Sequence, residues 1–217
     1  MVNRKIVDLV VKEMAFDSIF EVKHERAFTD EGRRGLYLED KSFRVEYKKA
    51  NIDTDMRIEC YELIDEDKEK GLFKVYKGER LNKDKRIVGD VPLLTSTSLF
   101  NGVSNFIDRE TFIDTKKIFS DKITIDMLSN VFYHSYEYFS DDNVHTLVFK
   151  NNKQNIYIKM YLVTLLKKLK MKYAYGRQVR IKRLNEEYIY LPVDSKNNPD
   201  WKYMEGYIKS LPYSKSL

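Results

Sequence analysis

Apolar side chains recur at near-helical spacing in IVDLVVKEMAF (6 to 16), which predicts an opening helix. The pattern then turns to alternation. GLYLED (35 to 40), SFRVEYKKA (42 to 50) and RIECYELI (57 to 64) read as short strands, because β-branched and aromatic residues alternate there with polar ones. LFKVYKG (72 to 78) and VPLLTST (91 to 97) read the same way, with Pro92 near a strand start, where its missing N–H costs least. The Asn101-Gly102 pair marks a turn, since both residues tolerate positive φ. KITIDML (122 to 128), NVFYHSYEYF (130 to 139) and HTLVFKN (145 to 151) add three more strands.

From Lys153 to Met171 the period changes. Ile156, Met160, Val163, Leu166 and Leu169 repeat three or four apart, and Tyr157, Tyr161 and Leu165 widen the stripe, so a long amphipathic helix is expected. Lys159, Lys167, Lys168, Lys170 and Lys172 are placed on its exposed side and last turn, where cations suit the helix dipole. Gly176 ends or redirects the chain, and RQVRIKRL then alternates basic and apolar side chains. YIYLPVD (188 to 194) is a further strand. Asn198-Pro199-Asp200 opens a last helix with proline in its first turn, Trp201, Met204, Ile208 and Leu211 on one face, and Pro212 as its stop. The expected fold is α/β (α+β): a mixed, mostly antiparallel sheet with the 153 to 172 helix packed on it.

Composition supports folding. With 217 residues, 42% hydrophobic and 13% aromatic, the chain can bury one large core or two small ones. No apolar run approaches the roughly 18 to 20 residues of a membrane helix, and charges interrupt the start before a signal core could form, so a cytoplasmic location is expected. The single cysteine, Cys60, excludes an intrachain disulfide and a cysteine-based zinc cluster; it is expected as a small, half-buried core residue.

Charge divides the chain. Residues 1 to 68 hold 13 basic and 17 acidic side chains, residues 69 to 217 hold 26 and 17, and the acidic cluster IDEDKEK (64 to 70) lies between them. This places a boundary near residue 68: 1 to 68 is an N-terminal α+β segment, and 69 to 217 is a basic domain suited to a polyanion. Within the latter, Asn155 to Asn185 carries nine Lys or Arg and no Asp or Glu.

Three blocks of residues carry a family resemblance. ITIDMLSNVFYHSYEYFSDDNVHTLVFKN, then KYAYGRQVRIKRL, then IYLPVDSKNNPDWKYMEGYIKSLPYS, taken in that order and spacing, resemble the target recognition domain of DNA-specificity (S) subunits of type I or type I-like restriction-modification systems. The resemblance covers roughly residues 70 to 214. It implies a non-catalytic protein, without cofactor or metal, that binds a specific duplex target and presents it to a DNA methyltransferase (M) subunit and, in restriction complexes, to a restriction subunit. Lys and Arg would contact phosphates, and a few side chains would reach base edges. Arg177, Gln178, Arg180, Lys182 and Arg183 are the leading candidates, with Lys172 and Tyr175 beside them. Lys77 and Arg80 in KGERL, and Thr95, Ser96, Thr97 and Ser98 with Asn101, form further candidate surfaces; ordinary turn hydrogen bonding accounts for the hydroxyl loop equally well.

Where typical S subunits carry two recognition domains joined by long helices, this chain has one, so a homodimer would restore a two-part target by symmetry. Residues 1 to 68 do not match the start of such a subunit and are read as a docking or dimerisation module or as the remnant of a fused partner. His134 and His145 near Asp141 and Asp142 match no ligand spacing and are read as packed or hydrogen-bonded, as are Tyr133, Tyr136 and Tyr138; Trp201 is read as core.

The competing reading is a Mg²⁺-dependent restriction-type nuclease. Such enzymes use an acid followed by Glu-x-Lys, which Glu21-Val22-Lys23 and Glu46-Tyr47-Lys48 match, with Asp17, Glu39 or Asp40 upstream. In a chain that is 34% charged, such triplets arise by chance. An RNA-binding or anti-restriction protein is a third reading.

Overall fold

A computed structural model describes residues 57–64, 71–112, 118–150, 154–173, 176–212 and 214–217; the expected elements at 6 to 16, 35 to 40 and 42 to 50, and the Glu-x-Lys triplets, lie outside the described residues. In chain order the elements are β1 (Arg57–Glu62), β2 (Phe73–Lys77), β3 (Val88–Leu94), β4 (Val103–Ile107), β5 (Lys122–Asp126), β6 (Val131–His134), β7 (Phe139–Ser140), β8 (Val144–Phe149), α1 (Ile156–Lys167), α2 (Ile181–Leu184), β9 (Tyr188–Val193) and α3 (Trp201–Ser210). The strands form three sheets, ordered β2-β8-β5-β6, β4-β3-β7 and β1-β9. All pairings are antiparallel except β3 with β7, so the mixed, mostly antiparallel expectation holds.

Alternation along the four-stranded sheet sets its inner face. Phe73, Ile123, Ile125, Val131, Leu147 and Phe149 are buried against Ile158, Leu162 and Leu166 of α1 and Met204 and Ile208 of α3. Each such side chain withdrawn from water contributes about 1.5 to 3 kcal/mol. Leu63 and Ile64, just after β1, belong to the same cluster, and β1 pairs with β9 along its whole length, so the packing continues across position 68. Smaller clusters fill the space around β3, β4 and β7: Val91, Leu93, Ile107 and Phe139 in one, Leu94, Tyr138 and Val144 in the other.

Caps fix the helix ends. Asn155 accepts a hydrogen bond from Ile158 N and starts α1, which tightens into a 3-10 turn over Lys168–Met171. Asp200 caps α3 through Tyr203 N, so Pro199 stands just ahead of the helix rather than in its first turn.

Four further expectations are corrected. Lys159 is not on the exposed side of α1: it is 5% exposed, with Nζ 2.6 Å from Asp121 and above the Tyr133 ring. Its long stem runs along the apolar face while the charge finds a carboxylate at the rim. Pro92 lies inside β3, after a register irregularity between Val88 and Val91 and before the β7 pairing begins at Leu93. Cys60 is exposed on β1. Trp201 is half-buried at the edge of the core, 6.5 Å edge-on from Phe149.

Candidate nucleic-acid interface

Antiparallel register gathers four chain segments at one end of the four-stranded sheet. β2 ends there at Lys77, opposite His145; β5 ends at Asp126, opposite Val144; and β6 begins at Val131, opposite Ile125. The turns at this end are held closely. Asp126 accepts from Leu128 N (2.8 Å), Asn130 N (2.9 Å) and Asn130 Nδ2 (2.7 Å), and Lys170 donates to Asn130 Oδ1 at 2.8 Å. Gly78 N donates to Val144 O, and the backbone there passes so near Ser140 and Asp141 that a Cβ at Gly78 would lie 2.1 Å from Asp141 O.

The strongly basic segment docks on the same end. Val179 is buried and donates its N–H to Met127 O at 2.9 Å, which leaves Gln178 and Arg180 on either side at the rim. The Arg180 guanidinium donates to Asn143 Oδ1 at 3.2 Å and to Gln178 Oε1, and Arg183 donates to the Gln178 carbonyl. RQVRIKRL is therefore an anchored segment followed by one helical turn, α2, on which Lys182 is exposed. Arg177 stacks 5.5 Å above the Tyr173 ring.

The remaining candidates separate. Lys77 and Arg80 are exposed at and beyond the end of β2. Lys172 turns to Glu187 at 2.6 Å, and Glu187 also accepts from the Tyr173 hydroxyl, so this lysine sits in a half-buried ion pair. Thr95, Ser96 and Thr97 are partly buried, and Thr97 Oγ1 accepts from Leu99 N at 3.2 Å, an ordinary turn bond. Their loop is rooted beside the basic end, because Asp141 N donates to Leu94 O at 2.9 Å. Asn101 and Gly102 have φ of 55° and 80°, the turn predicted from their identities. Tyr175 lies outside the described residues. Asn143 and Asn130 were not singled out from sequence; the Asp-Asp-Asn run at 141 to 143 is the signal for the first.

His145 reports the local field. Its ring is buried, neither nitrogen has a hydrogen-bond partner, and burial lowers its pKa to about 4, helped by the nearby Arg180 and Lys77 charges and opposed by Asp142. His134 is a packed histidine, bonded to Thr124 Oγ1 (2.9 Å) and the Tyr136 hydroxyl (3.2 Å), and burial lowers it to about 3. Among the described residues no three His, Cys, Asp or Glu come together as metal ligands, and no helix is long and apolar enough to cross a membrane.

The chain is similar to several known proteins. The type II restriction enzyme BgcI specificity subunit S.BcgI of Heyndrickxia coagulans is 28% identical over 140 residues, covering 64% of this chain and 41% of that protein. The S subunit of a type I restriction-modification system from M. genitalium is similar at 19% identity and a TM-score of 0.45, over 63% of this chain and 35% of that one. The HsdS subunit of Thermoanaerobacter tengcongensis is similar at 11% identity and a TM-score of 0.49, over 94% of this chain and 43% of that one. The chain thus spans less than half the length of each of these relatives. The model of the type I restriction modification DNA specificity domain matches residues 65–214, which is most of the sequence, and this chain belongs to that family.

Proposed function

We propose that this chain binds duplex DNA sequence-specifically as the specificity component of a restriction-modification system, directing a DNA methyltransferase, and an endonuclease where present, to its target. The family match over residues 65–214 carries this reading. The basic sheet end supports it with chemistry: exposed Lys77, Arg80, Arg180 and Lys182 offer phosphate contacts, while Gln178 at the rim carries an amide of the kind that reads base edges. The chain performs recognition without a cofactor, and the covalent chemistry belongs to the methyltransferase and restriction subunits that act with it on cytoplasmic DNA. Residues 69 to 217 form the recognition domain, residues 1 to 68 serve docking or dimerisation, and a homodimer supplies a two-part target.

Selection from a randomised duplex pool, with and without a methyltransferase subunit and at two salt concentrations, tests this. Enrichment of a defined motif is the expected result. Salt-sensitive binding without enrichment, or no binding in either condition, would overturn the sequence-reading role.

A further inference from the structure

The loop between β3 and β4 presents an apolar tip. Leu99 is 59% exposed and Phe100 is 69% exposed, and neither belongs to the three core clusters. Phe100 also has a φ of 50°, immediately before Asn101 and Gly102 at 55° and 80°. Positive φ is ordinary for asparagine and glycine but costly for a phenylalanine, and such strain clusters where structure serves binding. Val88 and Phe106 are exposed as well, but they lie within β3 and β4 without this backbone feature.

The tip is held in shape from behind. Thr95 N donates to Gly102 O at 2.8 Å, Gly102 N to Leu99 O at 2.9 Å, and Leu99 N to Thr97 Oγ1. Gly102 faces the Phe132 ring, which a Cβ there would meet at 3.5 Å, and Lys167 Nζ lies 5.9 Å from the centre of that same ring. Two residues before Phe132, Asn130 is bound by Lys170. The hydrogen-bonded loop that carries the apolar tip therefore meets, through Gly102, the same ring that Lys167 approaches, on the side of the sheet end where β6 begins.

We propose that Phe100, backed by Leu99, is a wedge that enters the base stack of a bound duplex and opens one base step beside the readout surface. The inference rests on the duplex-binding reading above. Apolar side chains inserted between base steps unstack and kink DNA, which brings more of the protein into contact with it. A loop already in shape loses little freedom on binding, and cations at its flank attract the phosphates on either side of the opened step. Pyrimidine–purine steps open most readily, so the wedge adds a preference at a position that no side chain hydrogen-bonds.

The test uses the full chain with duplexes drawn from the selected pool, each carrying 2-aminopurine at one position, and no methyltransferase, so that base flipping by that enzyme does not contribute. Binding is followed by anisotropy and unstacking by 2-aminopurine brightness in the same samples. A several-fold brightening at one position is expected for the native chain, lost in Phe100→Ala and kept in Phe100→Trp, while all three bind duplex and melt alike. Binding without brightening at any position, or brightening that survives Phe100→Ala, would overturn the wedge alone. Absence of binding by the native chain alone would overturn the wedge, and absence with a methyltransferase subunit added as well would overturn the duplex reading.

Discussion

Gly78 shows how a single residue can shape the basic end. Its missing side chain lets β2 pass against the Ser140 and Asp141 carbonyls, and both obstacles are backbone, so they cannot rotate away. Gly78→Ala should lower stability by at least about 2 kcal/mol in denaturant unfolding, and a smaller loss would mean that the turn can shift. The buried histidines predict a pH dependence of definite sign. Both folded pKa values, about 3 for His134 and about 4 for His145, lie below the unfolded value near 6.5, so the unfolded chain binds more protons between these limits. Stability should be fully present above about pH 6.5 and fall as pH drops toward 4, by about 1.4 kcal/mol per pH unit for each histidine. His134→Gln should flatten the melting-temperature profile in that window. At the interface, changing Arg177 and Arg180 together to Ala should weaken duplex binding and reduce its salt slope by about one for each lost phosphate contact; an unchanged slope would remove this surface from the binding site.

Local pattern gave the elements most clearly where one rule dominated. The stripe from Ile156 to Leu169 marked α1, and Asn101-Gly102 marked a turn that does adopt positive φ at both residues. Caps were less plain. Asn155 does for α1 what Asp200 does for α3, and Asn155→Ala should cost about 1 kcal/mol in thermal or denaturant unfolding. Lys159 was misplaced because periodicity assigns a lysine to the solvent side and cannot see Asp121, which lies far away in sequence. RQVRIKRL hid its structure for a related reason: Val179 is anchored by Met127, far away in sequence, and α2 then forms a single turn too short to set a period. For the candidate interface, charge marked a chain segment, Asn155 to Asn185. It could not show that Lys172 would be taken up by Glu187, or that Asn143 would steady Arg180.

For the whole molecule, alternation predicts strands but leaves their partners open, so the order β2-β8-β5-β6 and the β1-β9 pair were not legible. Charge drew a boundary near residue 68, whereas Leu63, Ile64 and β1 pack with residues on its far side. A chain starting at residue 57 should therefore melt at a higher temperature than one starting at residue 69. Equal melting temperatures would show that β1 adds nothing to stability. The pairing of β1 with β9 has a further consequence for how the protein is made. Arg57 donates to the carbonyl of Asp194, 137 positions later, so this seam can close only after Asp194 has left the ribosome. Until then β1 waits without its partner strand, and closing so long a loop is slow. Conditions that prolong translation between the two strands should leave the nascent chain open to proteases and to pairing with a neighbour, well before any DNA is met.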